Sequence, residues 1–252
     1  IRTAFITGGT SGIGYSIAES FLKNGANVII LGRNETKLKK AIEKLKSIDD
    51  SKVYGFIFDV SNTEKIKESF NNILNQIDGK KIDILVNNAG ISAKNGIGKT
   101  TIEDYDNVLN TNLRGTYFLS QVISNYMIEN KIHGNILNIA SSSSLRPVVN
   151  PYSLSKWGIR GLTVGLAKKL IKHGIVVNGI APGPTATPML IKDYNEDSDI
   201  TLETLPIERY ILPEEIANMA VFLTSNLGKS IVGDIVYMTG GAGTITVDDI
   251  SY

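Results

Sequence analysis

The stretch Thr3-Ala4-Phe5-Ile6-Thr7-Gly8-Gly9-Thr10-Ser11-Gly12-Ile13-Gly14 decides the fold. An apolar run of strand length passes straight into a glycine-rich turn. Beyond the turn, Ile17, Ala18, Phe21 and Leu22 recur at the spacing of one helix face. Glycines in such a turn let the backbone bend tightly and come close to a pyrophosphate. The helix that follows offers free N–H groups and the positive end of its dipole. Glycines also mark ordinary turns, so the strand–loop–helix context is what points to phosphate binding. The spacing of Gly8, Gly12 and Gly14 is G-x-x-x-G-x-G, not the G-x-G-x-x-G of the usual dinucleotide fingerprint.

The same rhythm runs outward along the 252 residues. Short β-rich apolar runs are predicted at 3–7, 27–31, 53–58, 82–87, 135–140, 175–180 and 234–238. Several are apolar throughout, as parallel strands covered on both faces require. Amphipathic stripes lie between them: Leu38, Ala41, Ile42 and Leu45, then Ile66, Phe70, Ile73, Leu74 and Ile77. Pro213, Glu214 and Glu215 form a helix start. Alternating strands and helices imply an α/β fold, a doubly wound parallel sheet of about seven strands. No internal repeat and no linker rich in Pro, Gly or Ser divides it, so 1–252 reads as a single domain. One segment, 185–208, breaks the rhythm with Pro188, Pro206 and the acidic run from Glu196 to Asp199. It follows a strand's carboxyl end, where ligands of such sheets bind, and reads as a substrate lid, with a plain surface loop as the alternative.

Composition narrows the function. Hydrophobic residues at 42% and charged residues at 20% exclude a disordered chain. The 26 basic and 25 acidic residues leave a formal charge of +1, against a generic nucleic-acid binder. The absence of cysteine excludes thiolate catalysis, a disulfide scaffold and cysteine-ligated zinc, and fits a reducing compartment. No run reaches the ~18 apolar residues of a membrane span, and the first residues lack the shape of a signal peptide. The reading is a cytoplasmic protein without membrane or nucleic-acid partners. His133 and His173 each precede a glycine just before a strand and read as loop residues, so no metal site is expected. Lys37, Lys39, Lys40, Lys44 and Lys46 flank an apolar stripe and read as a solvated face.

The second strand ends Ile30-Leu31-Gly32-Arg33-Asn34. An acidic residue near this point holds the ribose hydroxyls in NAD-binding units. Here glycine and arginine stand instead, and a guanidinium can pair with a 2′-phosphate, which favours NADP(H) over NAD(H). Asp59-Val60 and Asn87-Asn88-Ala89-Gly90 also fall at strand ends. Tyr152-Ser153-Leu154-Ser155-Lys156 puts Tyr152 and Lys156 at i, i+4, ~6 Å apart on one helix face. A free phenol titrates at ~10, and a neighbouring ammonium should lower that toward neutral pH, as general acid–base chemistry needs. Upstream, Ser141-Ser142-Ser143-Ser144 closes a strand, and a serine there can hydrogen-bond a substrate carbonyl.

This combination resembles the short-chain dehydrogenases/reductases from residue 3 to about 241, and most closely their 3-oxoacyl-carrier-protein reductases. The resemblance implies a Rossmann-type domain that moves hydride between NAD(P)H and a carbonyl or alcohol. It gives Tyr152 the acid–base role and sets Lys156 beside it on the nicotinamide ribose. Asn112 matches the helix-breaking asparagine that anchors a relay water. Ser141 matches the catalytic serine by its distance from the strand, with Ser142 or Ser143 as alternatives. The implied cofactor contacts are Gly8, Thr10, Ser11, Gly12, Ile13, Gly14, Arg33, Asp59, Val60, Asn88, Ala89, Gly90, Tyr152, Lys156, Pro182, Gly183, Thr185 and Thr187. The family pattern has about thirteen residues from serine to tyrosine, against eleven here. This shorter loop, with Arg146 and Asn150, should reshape the substrate pocket. A homotetramer or homodimer through helices at 101–129 and 152–172 is implied, with the tail 242–252 covering a neighbouring subunit or fraying. The expected activity is NADP(H)-dependent reduction of a carbonyl, such as a 3-oxoacyl thioester. Dehydrogenation of polyols, sugars or steroids, or NADP(H) sensing without turnover, are the alternatives.

Overall fold

The computed structural model describes residues 1–242 apart from Asp78 and Glu196. Seven parallel strands form one sheet in the order β3-β2-β1-β4-β5-β6-β7. They are β1 (Thr3–Thr7), β2 (Asn27–Gly32), β3 (Val53–Ile57), β4 (Ile84–Asn87), β5 (Asn135–Ile139), β6 (Val176–Pro182) and β7 (Ile235–Met238). Seven α-helices accompany them: α1 (Gly12–Lys23), α2 (Glu35–Lys46), α3 (Ile66–Leu74), α4 (Ile102–Leu109), α5 (Gly115–Glu129), α6 (Pro151–Leu170) and α7 (Pro213–Thr224). The predicted strands all form, with small shifts at their ends. The largest are two residues: β4 begins at Ile84, and β6 continues through Ala181 to Pro182, where it pairs with Met238.

The period-two alternation of each strand splits the core between the two faces. Ala4, Ile6, Val28 and Ile30 pack with α1, α2 and α7, whereas Phe5, Ile29, Leu31 and Leu85 pack with α3, α5 and α6. Phe5, fully buried, meets Phe58 and Phe70 edge to face at 5.9 and 5.6 Å. Strand order reverses between β1 and β4. At such a switch point the loops leaving the carboxyl ends diverge and leave a crevice.

The segment 185–208 forms no long element among its described residues. Two isolated bridges tie it down, Thr185 to Ile211 and Thr201 to Arg209. The tail beyond Ala242 lies outside the described residues. No helix among those residues is long and apolar enough to cross a membrane.

Candidate active site

A cleft of about 1000 Å³ opens at the carboxyl edge of the sheet, over the switch point. The glycine loop between β1 and α1 makes one wall. Gly8 (φ 62°) and Gly12 (φ 54°) adopt left-handed backbone that an L side chain rarely enters. Gly14 lies behind the wall, where a methyl group would stand 2.3 Å from the Gly8 carbonyl oxygen. Ser11 precedes α1 without capping it, and no acidic residue fills the first turn, so the helix N-terminus is left to an anion.

A clasp from β4 fixes this loop. The Asn88 side-chain amide donates to the carbonyls of Thr7 (3.0 Å) and Gly8 (3.1 Å). The Thr7 hydroxyl accepts the N–H groups of Asn88 and Ala89, both at 3.0 Å. At the end of β2, Gly32 and Arg33 line the cleft, joined by Asn34 and Lys37. Asn34 also caps α2, accepting the Lys37 N–H at 2.9 Å. No carboxylate lines the cleft among the described residues. The chain therefore fits an anionic dinucleotide: a cradle closed to side chains, a free helix N-terminus, and two cations at its far end.

Ser141, Tyr152 and Lys156 converge on the opposite wall. Asn150 caps α6 by accepting the Ser153 N–H at 2.9 Å, and Pro151 opens the helix. Lys156 is buried, donates to the Ile139 carbonyl at 2.8 Å, and sits 5.6 Å from the centre of the Tyr152 ring. Burial lowers its pKa to about 8. The sequence expectation that this ammonium depresses the tyrosine is corrected. Burial pushes the Tyr152 phenol up from its ordinary value, opposed by a hydrogen bond with Ser141. That pairing favours Ser141 among the four serines. Ser142 lines the cleft, whereas the Ser143 hydroxyl is buried without a partner.

Three other expectations meet a definite geometry. Asp59 stands off the cleft wall: it is exposed, and its carboxylate accepts the Ser61 N–H and hydroxyl at 3.0 and 2.7 Å, while Val60 and Phe58 face the cleft. At Asn112 the α-helical pattern is interrupted, between α4 ending at Leu109 and α5 beginning at Gly115. Asn112 sits in a π-turn, Asn110–Arg114, that joins α4 to α5. It is buried behind the wall, with its oxygen accepting the Ile91 N–H at 2.8 Å. Its amide donates to the Ile91 carbonyl at 3.0 Å and to Ser155 at 3.1 Å, leaving no amide hydrogen for a water. Ser155 in turn donates to the Tyr152 carbonyl at 2.6 Å. Lastly, Arg146 is exposed and Asn150 serves as a cap, so neither shapes the cleft.

Thr10, Ser11, Ile13, Ala89, Gly90, Pro182, Gly183, Thr185 and Thr187 all line the cleft. Ile91, Met189 and Leu190 line it without having been singled out from the sequence, and Lys37, read there as part of a solvated face, lines it too. For Lys37 a signal existed: it lies one helical turn beyond Arg33 and its cap.

Residues 8–243 match the family model described as Enoyl-(Acyl carrier protein) reductase. The chain is 35% identical to the 3-oxoacyl-[acyl-carrier-protein] reductase FabG of Aquifex aeolicus, over 95% of this chain and 96% of the relative. It is 32% identical to the gluconate 5-dehydrogenase of Gluconobacter oxydans, over 94% and 93%. Among solved structures, a single-residue variant of actinorhodin polyketide ketoreductase with NADPH superposes with a TM-score of 0.87 at 30% identity, covering 97% of this chain and 98% of that one.

Proposed function

Because the chain belongs to the short-chain dehydrogenase/reductase family and is a nicotinamide-dependent carbonyl/alcohol oxidoreductase, we propose that it works as an NADPH-dependent carbonyl reductase with Ser141, Tyr152 and Lys156 as its catalytic residues. The observation that carries this reading is the convergence of Ser141, Tyr152 and buried Lys156 on the cleft that the glycine cradle also lines. When bound, the reduced nicotinamide supplies the hydride. Ser141 and Tyr152 hold the carbonyl oxygen. A phenol raised by burial keeps its proton at neutral pH, and so can donate it as negative charge builds on that oxygen. Below about pH 8 Lys156 is an ammonium, which stabilises the phenolate left behind. Asn112 and Ser155 act as positioning residues, tying the loop after β4 to the backbone of Tyr152.

The preference for NADPH rests on Arg33 and Lys37 and on the lack of a carboxylate among the described wall residues. The names of the relatives make a 3-oxoacyl thioester the first substrate to try, and polyols, sugars or steroids the next. We read 185–208 as a lid, since its first residues already line the cleft, and 1–252 as one domain located in the cytoplasm. Tyr105, Tyr117, Leu154, Trp157 and Val164 leave large apolar groups exposed along α4, α5 and α6, which supports a homodimer or homotetramer.

The test is NADPH oxidation by the purified protein against a 3-oxoacyl thioester, a diketone, a ketosugar and a ketosteroid. Turnover of one class, lost in Tyr152→Phe, is the expected result. Turnover retained in that variant overturns the mechanism, and tighter binding of NADH than of NADPH overturns the cofactor preference.

A further inference from the structure

The turn that carries Ser141 has little of its own to hold it. Ser141 leaves β5 in extended backbone, and Ser142–Leu145 form a single 3₁₀ turn. The Ser141 hydroxyl oxygen accepts the Ser143 N–H at 3.1 Å. The Ser141 carbonyl accepts the Ser144 N–H and hydroxyl at 3.0 and 2.7 Å. These bonds close the first end of the turn. A helix this short leaves its last carbonyls without partners inside it, and here α6 supplies them. Arg160 donates to the Ser144 carbonyl, and the Trp157 indole N–H to the Arg146 carbonyl, each at 3.0 Å.

Arg160 is half-buried, and no carboxylate stands within ion-pair distance of it among the described residues. Its guanidinium lies 5.1 Å from the centre of the Trp157 ring and 6.0 Å from that of Tyr237 on β7. A cation over aromatic faces is attracted to them, and a planar fork held that way keeps its N–H groups aimed. Tyr152, Lys156 and Arg160 follow one another on successive turns of α6. The helix that delivers the phenol and the ammonium therefore also grips the turn that delivers the serine. Neither Arg160 nor Trp157 lines the cleft. A misplacement of ~1 Å between reacting groups can cost ~10²-fold in rate, so a grip outside the cleft matters inside it. We infer that Arg160 and Trp157 are positioning residues that fasten the Ser141 turn to α6, so that Ser141 and Tyr152 meet one carbonyl oxygen as a unit. This inference rests on the reductase reading and adds to it.

A double-mutant cycle tests it, read with NADPH on the ketone of the panel that the unaltered protein reduces fastest. Arg160→Met keeps the apolar stem and removes the guanidinium. Its kcat should fall by about 10–100-fold, with the NADPH dissociation constant unchanged. In a Ser141→Ala background the same substitution should cost less than about twofold, since the turn then has no hydroxyl to place. Trp157→Phe keeps a ring beside the guanidinium and removes only the indole donor. It should lower kcat less, again only where Ser141 is present, and it carries the cycle if Arg160→Met does not fold. Equal losses with and without Ser141 would make the grip a general support of the fold and overturn the inference. Full kcat in both single variants overturns it too, and the reductase reading survives either result. If NADPH binds and the unaltered protein reduces no ketone of the panel, the reductase reading itself fails, and the inference with it.

Discussion

Lys156 has to hide an ammonium where water cannot follow, and that has a measurable signature. The unfolded lysine keeps its proton to about 10.5, the folded one only to about 8. Between those values the unfolded state binds more protons, so this group makes folding more favourable as pH rises through the window. The melting temperature of the cofactor-free protein, relative to that of Lys156→Met, should therefore climb from pH 8 to 10. A flat difference would mean the amine is solvated. Tyr152 and Ser141 have their own signature. Tyr152→Phe should lower kcat by about 10²–10⁴ with NADPH binding unchanged. In Ser141→Ala the bond that pulls the phenol's pKa down is gone, so the alkaline loss of reductive activity should move to higher pH, as a kcat/KM profile would show. The identity and spacing of Tyr152 and Lys156 were legible in the sequence. The direction of the phenol's shift was not, because it depends on how deeply the ring is buried, and spacing along a helix says nothing about that.

Elements place these side chains, and the clasp between Thr7, Asn88 and the glycine loop joins four hydrogen bonds in one such placement. Gly14→Ala puts a methyl group against the Gly8 carbonyl, which is backbone and cannot swing aside. We expect a loss of about 1–3 kcal/mol in thermal stability and a much weaker NADPH titration. Normal cofactor affinity in that variant would show that the loop has slack. The strand–loop–helix unit was readable because glycine spacing and helical periodicity meet within a short stretch. The interruption at Asn112 came from the family resemblance alone and not from periodicity. Apolar spacing across 102–129 fits one helix, and widening by one residue at Asn110–Arg114 leaves almost no trace in it. Asp59 misled for a related reason: a residue at a strand end faces the crevice or a local turn according to its rotamer, and Ser61 offered a turn.

For the whole molecule, seven apolar runs separated by helix-length segments were enough to anticipate the sheet and its two covered faces. The lid segment was harder, since its short bridges follow no period. Assembly is the property to measure next. Leu154, Trp157 and Val164 share one face of α6 with Gly161, where an added methyl group would meet open space. A second copy can approach closely there. Sedimentation at micromolar concentration should give a dimer or tetramer, and Val164→Glu should shift it toward the 27.3 kDa protomer. A monomeric parent protein would overturn the proposed assembly.

The clasp has a further consequence in time. Asn88 and Thr7 satisfy backbone groups that would otherwise let the cradle wander. Encounter is then the whole of the event. In stopped flow, the observed rate of NADPH association should rise linearly with concentration as a single exponential, with no plateau from a slow rearrangement. In Asn88→Ala, which frees the loop to wander, a saturating second phase should appear.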